Sequence, residues 1–147
     1  MKRAAMIMLV ALASCTDSSD TLVPDHMVVG DAIPEALSEA PGDATVGRMI
    51  FVERDRGHCV LCHRVSGLDA TFQGDVGPDL SDVGARLSPG QIRLRIVDAS
   101  RLNADTVMPP YHRTHDLHQV APEYADKPVL AAQEIEHLVA YLSGLEG

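Results

Sequence analysis

The chain has 147 residues, 46% of them hydrophobic, which fits one compact domain plus some unstructured sequence and leaves little room for two. Its net charge of −9 argues against nucleic acid, whose phosphates call for a basic stripe. With no Trp, two Phe and three Tyr, aromatic packing alone gives a core that is thin for the length, a deficit that a large buried prosthetic group would repair.

The chain opens as an export signal, with Lys2 and Arg3, an apolar run from Ala4 to Ala13 and then small residues. That run falls short of the roughly 20 apolar residues needed to span a bilayer. Leu12-Ala13-Ser14-Cys15 fits a bacterial lipoprotein signal, so residues 1–14 are expected to be cleaved and Cys15 to become a lipidated N-terminus. Ordinary cleavage after Ala11-Leu12-Ala13 is the alternative, and both export the chain. Residues 15–41 are rich in Ser, Asp, Glu and Pro with no Lys or Arg, and are expected to form a flexible acidic linker that packs little.

A domain from 42 to 147 follows. A helix is expected over about Asp43 to Arg56, with Gly47 and Phe51 on one face beside Val46 and Ile50, stopped by Gly57. Residues 65–76 show no period and read as a loop leading into Gly77-Pro78-Asp79-Leu80. Ser88 as N-cap and Pro89 at the first helical position start a helix that carries Ile92, Ile96 and Val97 inward, with Arg93 and Arg95 facing elsewhere. A Pro-containing loop holds Met108-Pro109-Pro110-Tyr111. The final helix, from about Ala131, shows Ile135, Leu138, Val139 and Leu142 at helical spacing, with Gly144 as its stop.

The chemistry sits between the first and middle helices. Cys59-Val60-Leu61-Cys62-His63 is the attachment pattern of c-type haem: two thioethers to neighbouring pyrroles need sulfurs about one turn apart, and the next residue then presents imidazole to the iron. His63 is the expected proximal ligand. A zinc site built from Cys59 and Cys62 with His112, His115 or His118 is the competing reading. For the sixth ligand, Met108 stands out among six methionines, because it follows the middle helix and Pro109 and Pro110 restrict the backbone beside it. His112 is the alternative. Pro78 is expected to offer its carbonyl to the other ring nitrogen of His63, or else simply to make a turn before Leu80.

Gly47 and Phe51, Cys59 to His63, Gly77 to Leu80, Met108-Pro109 and the last helix near Tyr141 resemble the class I cytochrome c arrangement. More narrowly, Gly77-Pro78-Asp79-Leu80-Ser81-Asp82-Val83-Gly84, Arg93 to Asn103, Thr106 to Tyr111, Lys127 to Leu130 and Gln133 to Glu136 look like SoxX, the monohaem subunit of SoxAX cytochromes. The resemblance implies an all-α class I cytochrome c fold with helices packed around one covalent haem c, and a periplasmic heterodimer with a SoxA-like cytochrome. Such a complex is an L-cysteine S-thiosulfotransferase, which joins thiosulfate oxidatively to a cysteine of the SoxYZ carrier. The SoxX subunit accepts the electrons and passes them to a soluble cytochrome. No bond-forming catalytic residue is then expected on this chain, and lipidated Cys15 would be its membrane attachment. A free-standing periplasmic electron shuttle is the alternative. The loop from Tyr111 to Val120 and the helix end from Arg93 to Arg101 are expected to face the partner, with Arg101 and Arg113 pairing with its carboxylates.

Overall fold

A computed structural model describes residues 23–147; the expected export signal and Cys15 lie outside the described residues. The described chain is all-α, with no strand beyond an isolated bridge between Val29 and Ala32. Its α-helices are α1 (Ala44–Val52), α2 (Val83–Arg86), α3 (Pro89–Asp98) and α4 (Ala132–Ser143). None is long and apolar enough to cross a membrane.

Helix α1 begins where its cap allows. The Asp43 carboxylate accepts from the Thr45 and Val46 backbone N–H groups at 2.7 and 3.3 Å, which holds its pKa below the usual carboxylate range. Its own N–H donates to Nδ1 of His137 on α4 at 2.8 Å, so one residue both starts α1 and docks it. At Gly47 the two helices touch backbone to backbone: a Cβ there would overlap the His137 carbonyl. One turn on, fully buried Phe51 meets Tyr141 edge-on, ring centroids 5.7 Å apart. The helix stops at Val52, short of the expected Arg56, and the left-handed residue of the following turn is His58 (φ 46°) rather than Gly57.

Helix α3 starts as its sequence dictates. Ser88 accepts from Gln91 N–H, Gln91 Oε1 accepts from Ser88 N–H, and Pro89 supplies the first turn. Ile92, Ile96 and Val97 are buried as expected, and so is Leu94. Helix α4 buries Ile135, Leu138, Val139 and Leu142 and ends at Gly144.

Two expectations fail here, for one reason. Arg93 does not face outward: it is 5% exposed and makes a two-pronged ion pair with Glu136 of α4, at 2.7 and 2.8 Å. Residues 23–41 do not behave as a solvated linker either. Val23 and Ile33 are buried, Met27, Val28 and Leu37 pack on the core, and Ile33 N–H donates to the Gly90 carbonyl. The same ion pair holds them, because Arg93 Nη1 donates to the Ile33 carbonyl at 2.6 Å and Glu136 Oε1 accepts from Leu37 N–H at 2.9 Å. Every prong of the buried pair is satisfied, and part of that satisfaction comes from the supposed linker.

Removing one partner therefore strands a buried charge. Arg93→Met should cost about 3–5 kcal/mol in urea unfolding and should make residues 23–41 protease-sensitive in the otherwise folded protein. An unchanged urea midpoint would contradict this account.

Candidate functional site: the Cys59–His63 turn

After α1 the chain makes a 3-10 turn at Cys59–Leu61, which places both cysteines and His63 within one loop. Cys62 N–H and His63 N–H both donate to the Cys59 carbonyl, at 3.1 and 2.9 Å, so the spacing between the sulfurs and the imidazole is set by the turn itself. Both cysteines are free thiols and half-buried. Burial pushes the Cys59 thiol up to about 12, which leaves it neutral at physiological pH. Among the described residues no three His, Cys, Asp or Glu side chains converge to hold a metal ion, so the two cysteines lack the further ligands that zinc would need.

His63 is fixed from the far side of the following loop. Its Nδ1 lies 2.8 Å from the Pro78 carbonyl. A carbonyl can only accept, so Nδ1 carries the proton and Nε2 keeps its lone pair for a ligand bond. The turn that aims this carbonyl is itself pinned. Gly77 N–H donates to the Cys62 carbonyl at 2.8 Å, Leu80 N–H to the Arg64 carbonyl at 2.9 Å, and Arg86 Nη2 to the Asp79 carbonyl at 2.9 Å. The Asp79 carboxylate accepts from the Ser81 hydroxyl and backbone N–H, and these bonds, the hydroxyl foremost, hold its pKa below the usual range. Gly77 lies against the imidazole itself, where a Cβ would overlap the His63 ring. Reading the sequence as a Gly-Pro turn missed this contact, although a glycine just before the carbonyl-donating proline was its visible trace.

Met108 is half-buried in the loop after α3, with its N–H on the Thr106 hydroxyl at 3.2 Å. Three residues on, Tyr111 donates its hydroxyl to the Gly57 carbonyl at 2.9 Å, which brings the Met108 loop to the attachment turn. His112, the alternative sixth ligand, belongs elsewhere. It is 2% exposed, with Nδ1 at 2.8 Å from the Leu130 carbonyl, and it lines a small cavity with Val23, Val97, Asp98 and Arg113 that neither cysteine nor His63 reaches.

The expected partner face is also redrawn. Arg93 is in the core, Tyr111 and His112 turn inward, and Arg101 and Arg113 are occupied within the chain. Arg113 donates to Asp98 at 2.9 Å and Arg101 to Asp25 at 2.8 Å. Of the loop expected to meet a partner, only the stretch from His115 to Val120 stays largely exposed. Near the attachment turn Leu61, Phe72 and Val76 are exposed instead, at 50%, 63% and 68%.

The residues present fit a covalent haem. Two thiols lie one turn apart, an imidazole has its distal nitrogen fixed and its ligating nitrogen available, and a thioether sits on a loop tied to the same turn.

Comparison with known proteins agrees. The cytochrome c family model matches residues 44–146. A chain of the crystal structure of SoxXA from P. pantotrophus is similar at 30% identity and a TM-score of 0.74, over 80% of this chain and 91% of that one. The c-type cytochrome SorU from Sinorhizobium meliloti is similar at 27% identity and a TM-score of 0.45, over 71% of this chain and 91% of that one. A comparison with curated protein sequences gives no match.

The Gly77 contact yields a direct check. Gly77→Ala forces the His63 ring off the Pro78 carbonyl and should cost about 1–3 kcal/mol in denaturant unfolding, with a visible spectrum perturbed at the Soret band. A variant with both the wild-type midpoint and the wild-type spectrum would show that the contact does not constrain His63.

Proposed function

The chain belongs to the cytochrome c family, as a SoxX-like class I cytochrome c with covalently bound haem c, and from that premise we propose that it is the electron-accepting subunit of a SoxAX complex. The observation that carries this reading is the similarity to a SoxXA chain over 91% of that chain's length, joined to the SoxX-like motifs spread from Gly77 to Glu136.

In this reading Cys59 and Cys62 would hold the haem through thioethers, and His63 Nε2 and Met108 Sδ would bind its iron. Bound in this way, haem iron supplies a one-electron couple. The chain's own residues set the surroundings. The Pro78 carbonyl accepts a hydrogen bond from the Nδ1–H of His63, which orients the ring and makes Nε2 a better ligand. The pinned 77–81 turn keeps that carbonyl in place. Pro109 and Pro110 limit the conformations open to Met108.

In this reading the chain offers no cysteine nucleophile among the described residues. Its two described cysteines are taken by haem, so the bond between thiosulfate sulfur and a SoxYZ-like carrier cysteine forms on the SoxA-like partner, and this subunit accepts the electrons and hands them to a soluble cytochrome. That chemistry places the complex in the periplasm, consistent with the export signal, with lipidated Cys15 as the proposed tether. The exposed Leu61, Phe72 and Val76 lie beside the attachment turn, where a partner haem must approach closely for electron transfer.

Two experiments test this reading. Cys59→Ala with Cys62→Ala should yield no haem-loaded protein, while Met108→Ala should keep its haem through acid-acetone extraction but lose the weak near-infrared band of methionine-to-iron coordination. Extraction of all haem from the unmodified protein, or persistence of the band in Met108→Ala, would overturn the ligand assignment. In the second, purification from the native host should bring down a SoxA-like cytochrome, and the pair should be reduced by thiosulfate in the presence of the carrier. A monomer reduced only by generic donors would instead support a free-standing shuttle.

A further inference from the structure

We propose that Tyr111 is a positioning residue for the sixth-ligand loop: its hydroxyl, bonded to the Gly57 carbonyl, ties the segment carrying Met108 to the turn carrying the cysteines. The inference rests on the reading of Met108 as an axial ligand and names the contact that keeps it in place.

The geometry makes position 111 a fixed post. Its backbone N–H donates to the Ile96 carbonyl near the end of α3 at 3.3 Å, and its carbonyl accepts from Leu130 N–H at 3.0 Å, just ahead of α4. Its side chain then reaches a third element, Gly57, 54 residues away in sequence. The ring packs on the core beside Cys59 and Cys62. Burial pushes the phenol pKa above its ordinary value, so the hydroxyl is protonated and able to donate at neutral pH.

Between the 3-10 turn at Ala99–Arg101 and this post, the loop has few bonds of its own. Thr106 N–H donates to the Asn103 carbonyl, Asp105 N–H to the Asn103 side chain, and Met108 N–H to the Thr106 hydroxyl. All are local to the loop and none ties it to the attachment turn. Pro109 and Pro110 bridge Met108 to Tyr111 with two restricted φ angles, so a constraint at 111 is transmitted to 108 with little slack. Among the described residues, the hydrogen bond that ties this loop to the attachment turn is thus the one from the Tyr111 hydroxyl to the Gly57 carbonyl.

A tie of this kind shows itself when another ligand competes for the iron. Swinging Met108 away is easier once the tie is cut, and loss of one net hydrogen bond of ordinary strength corresponds to roughly a fivefold change in that competition.

The test titrates ferric holoprotein with imidazole while following the near-infrared methionine-to-iron band. Tyr111→Phe keeps the ring and removes the hydroxyl; it should retain the band without imidazole and lose it at roughly fivefold lower imidazole than the unmodified protein. Tyr141→Phe, which removes a phenol from the α1–α4 contact instead, should leave the titration unchanged. Urea unfolding of each variant separates a local effect from a global one. A lowered urea midpoint for Tyr111→Phe with an unshifted imidazole titration would make Tyr111 a packing residue and overturn the inference. An equal shift in both Phe variants would overturn it as well. If the band is absent from the unmodified protein, the Met108 assignment fails and the inference falls with it, an outcome distinct from a band that is present but does not shift.

Discussion

A guanidinium and a carboxylate enclosed together between two helices hold this molecule in register. Arg93 and Glu136 are each about 5% exposed, and burying either alone would cost several kcal/mol. Together they meet along two prongs, and their remaining hydrogen-bonding capacity is spent on the Ile33 carbonyl and the Leu37 N–H. One interaction thus locks α3 to α4 and straps the chain ahead of α1 across both. A buried pair need not stabilise more than a well-packed apolar pair would, but it is intolerant of misalignment. It therefore specifies where α4 lies, and α4 in turn receives α1 through Gly47, His137 and the Phe51–Tyr141 contact.

Upon that frame the haem-attachment turn needs few further constraints. Helix α1 delivers the chain to Gly57, the 3-10 turn spaces the two sulfurs and the imidazole, and the 77–81 turn folds back to grip His63. The grip is a chain of small fixed dipoles with a carboxylate at its end: His63 to the Pro78 carbonyl, and Asp79 to Ser81 next to it. In an electron carrier, a ligand that does not move between oxidation states demands little rearrangement of its surroundings, which is the use we propose for this grip on His63.

The acidic charge of the chain is distributed with some economy. Asp98 is buried but answered by Arg113 and Arg101, and Asp25 meets Arg101 from the segment ahead of α1. Basic residues that might have been displayed to a partner are thereby turned to holding α3 against the loop that follows it and the segment that precedes α1. Beside the attachment turn Leu61, Phe72 and Val76 are exposed, among exposed charged neighbours such as Arg64 and Asp75.

The amino-acid sequence determined by itself whatever is encoded within a few residues. The Cys59–His63 pattern, the Ser88-Pro89-Gln91 start of α3, the apolar spacing of α4 and its Gly144 stop are all local, because turn spacing, capping and helical periodicity act over one or two turns. Even the end of α1 was legible only approximately, since a left-handed His58 did what glycine was expected to do. The tertiary structure alone decided which way the ambiguous residues turned. Arg93 faces inward because a carboxylate 43 residues later meets it, and Tyr111 faces inward because a carbonyl 54 residues earlier accepts its hydroxyl. Residues 23–41 pack because their backbone completes the hydrogen bonding of that buried pair. A charged or polar side chain is expelled to water or retained in the core according to whether a partner waits there, and such partners lie too far along the chain for any local pattern to reveal.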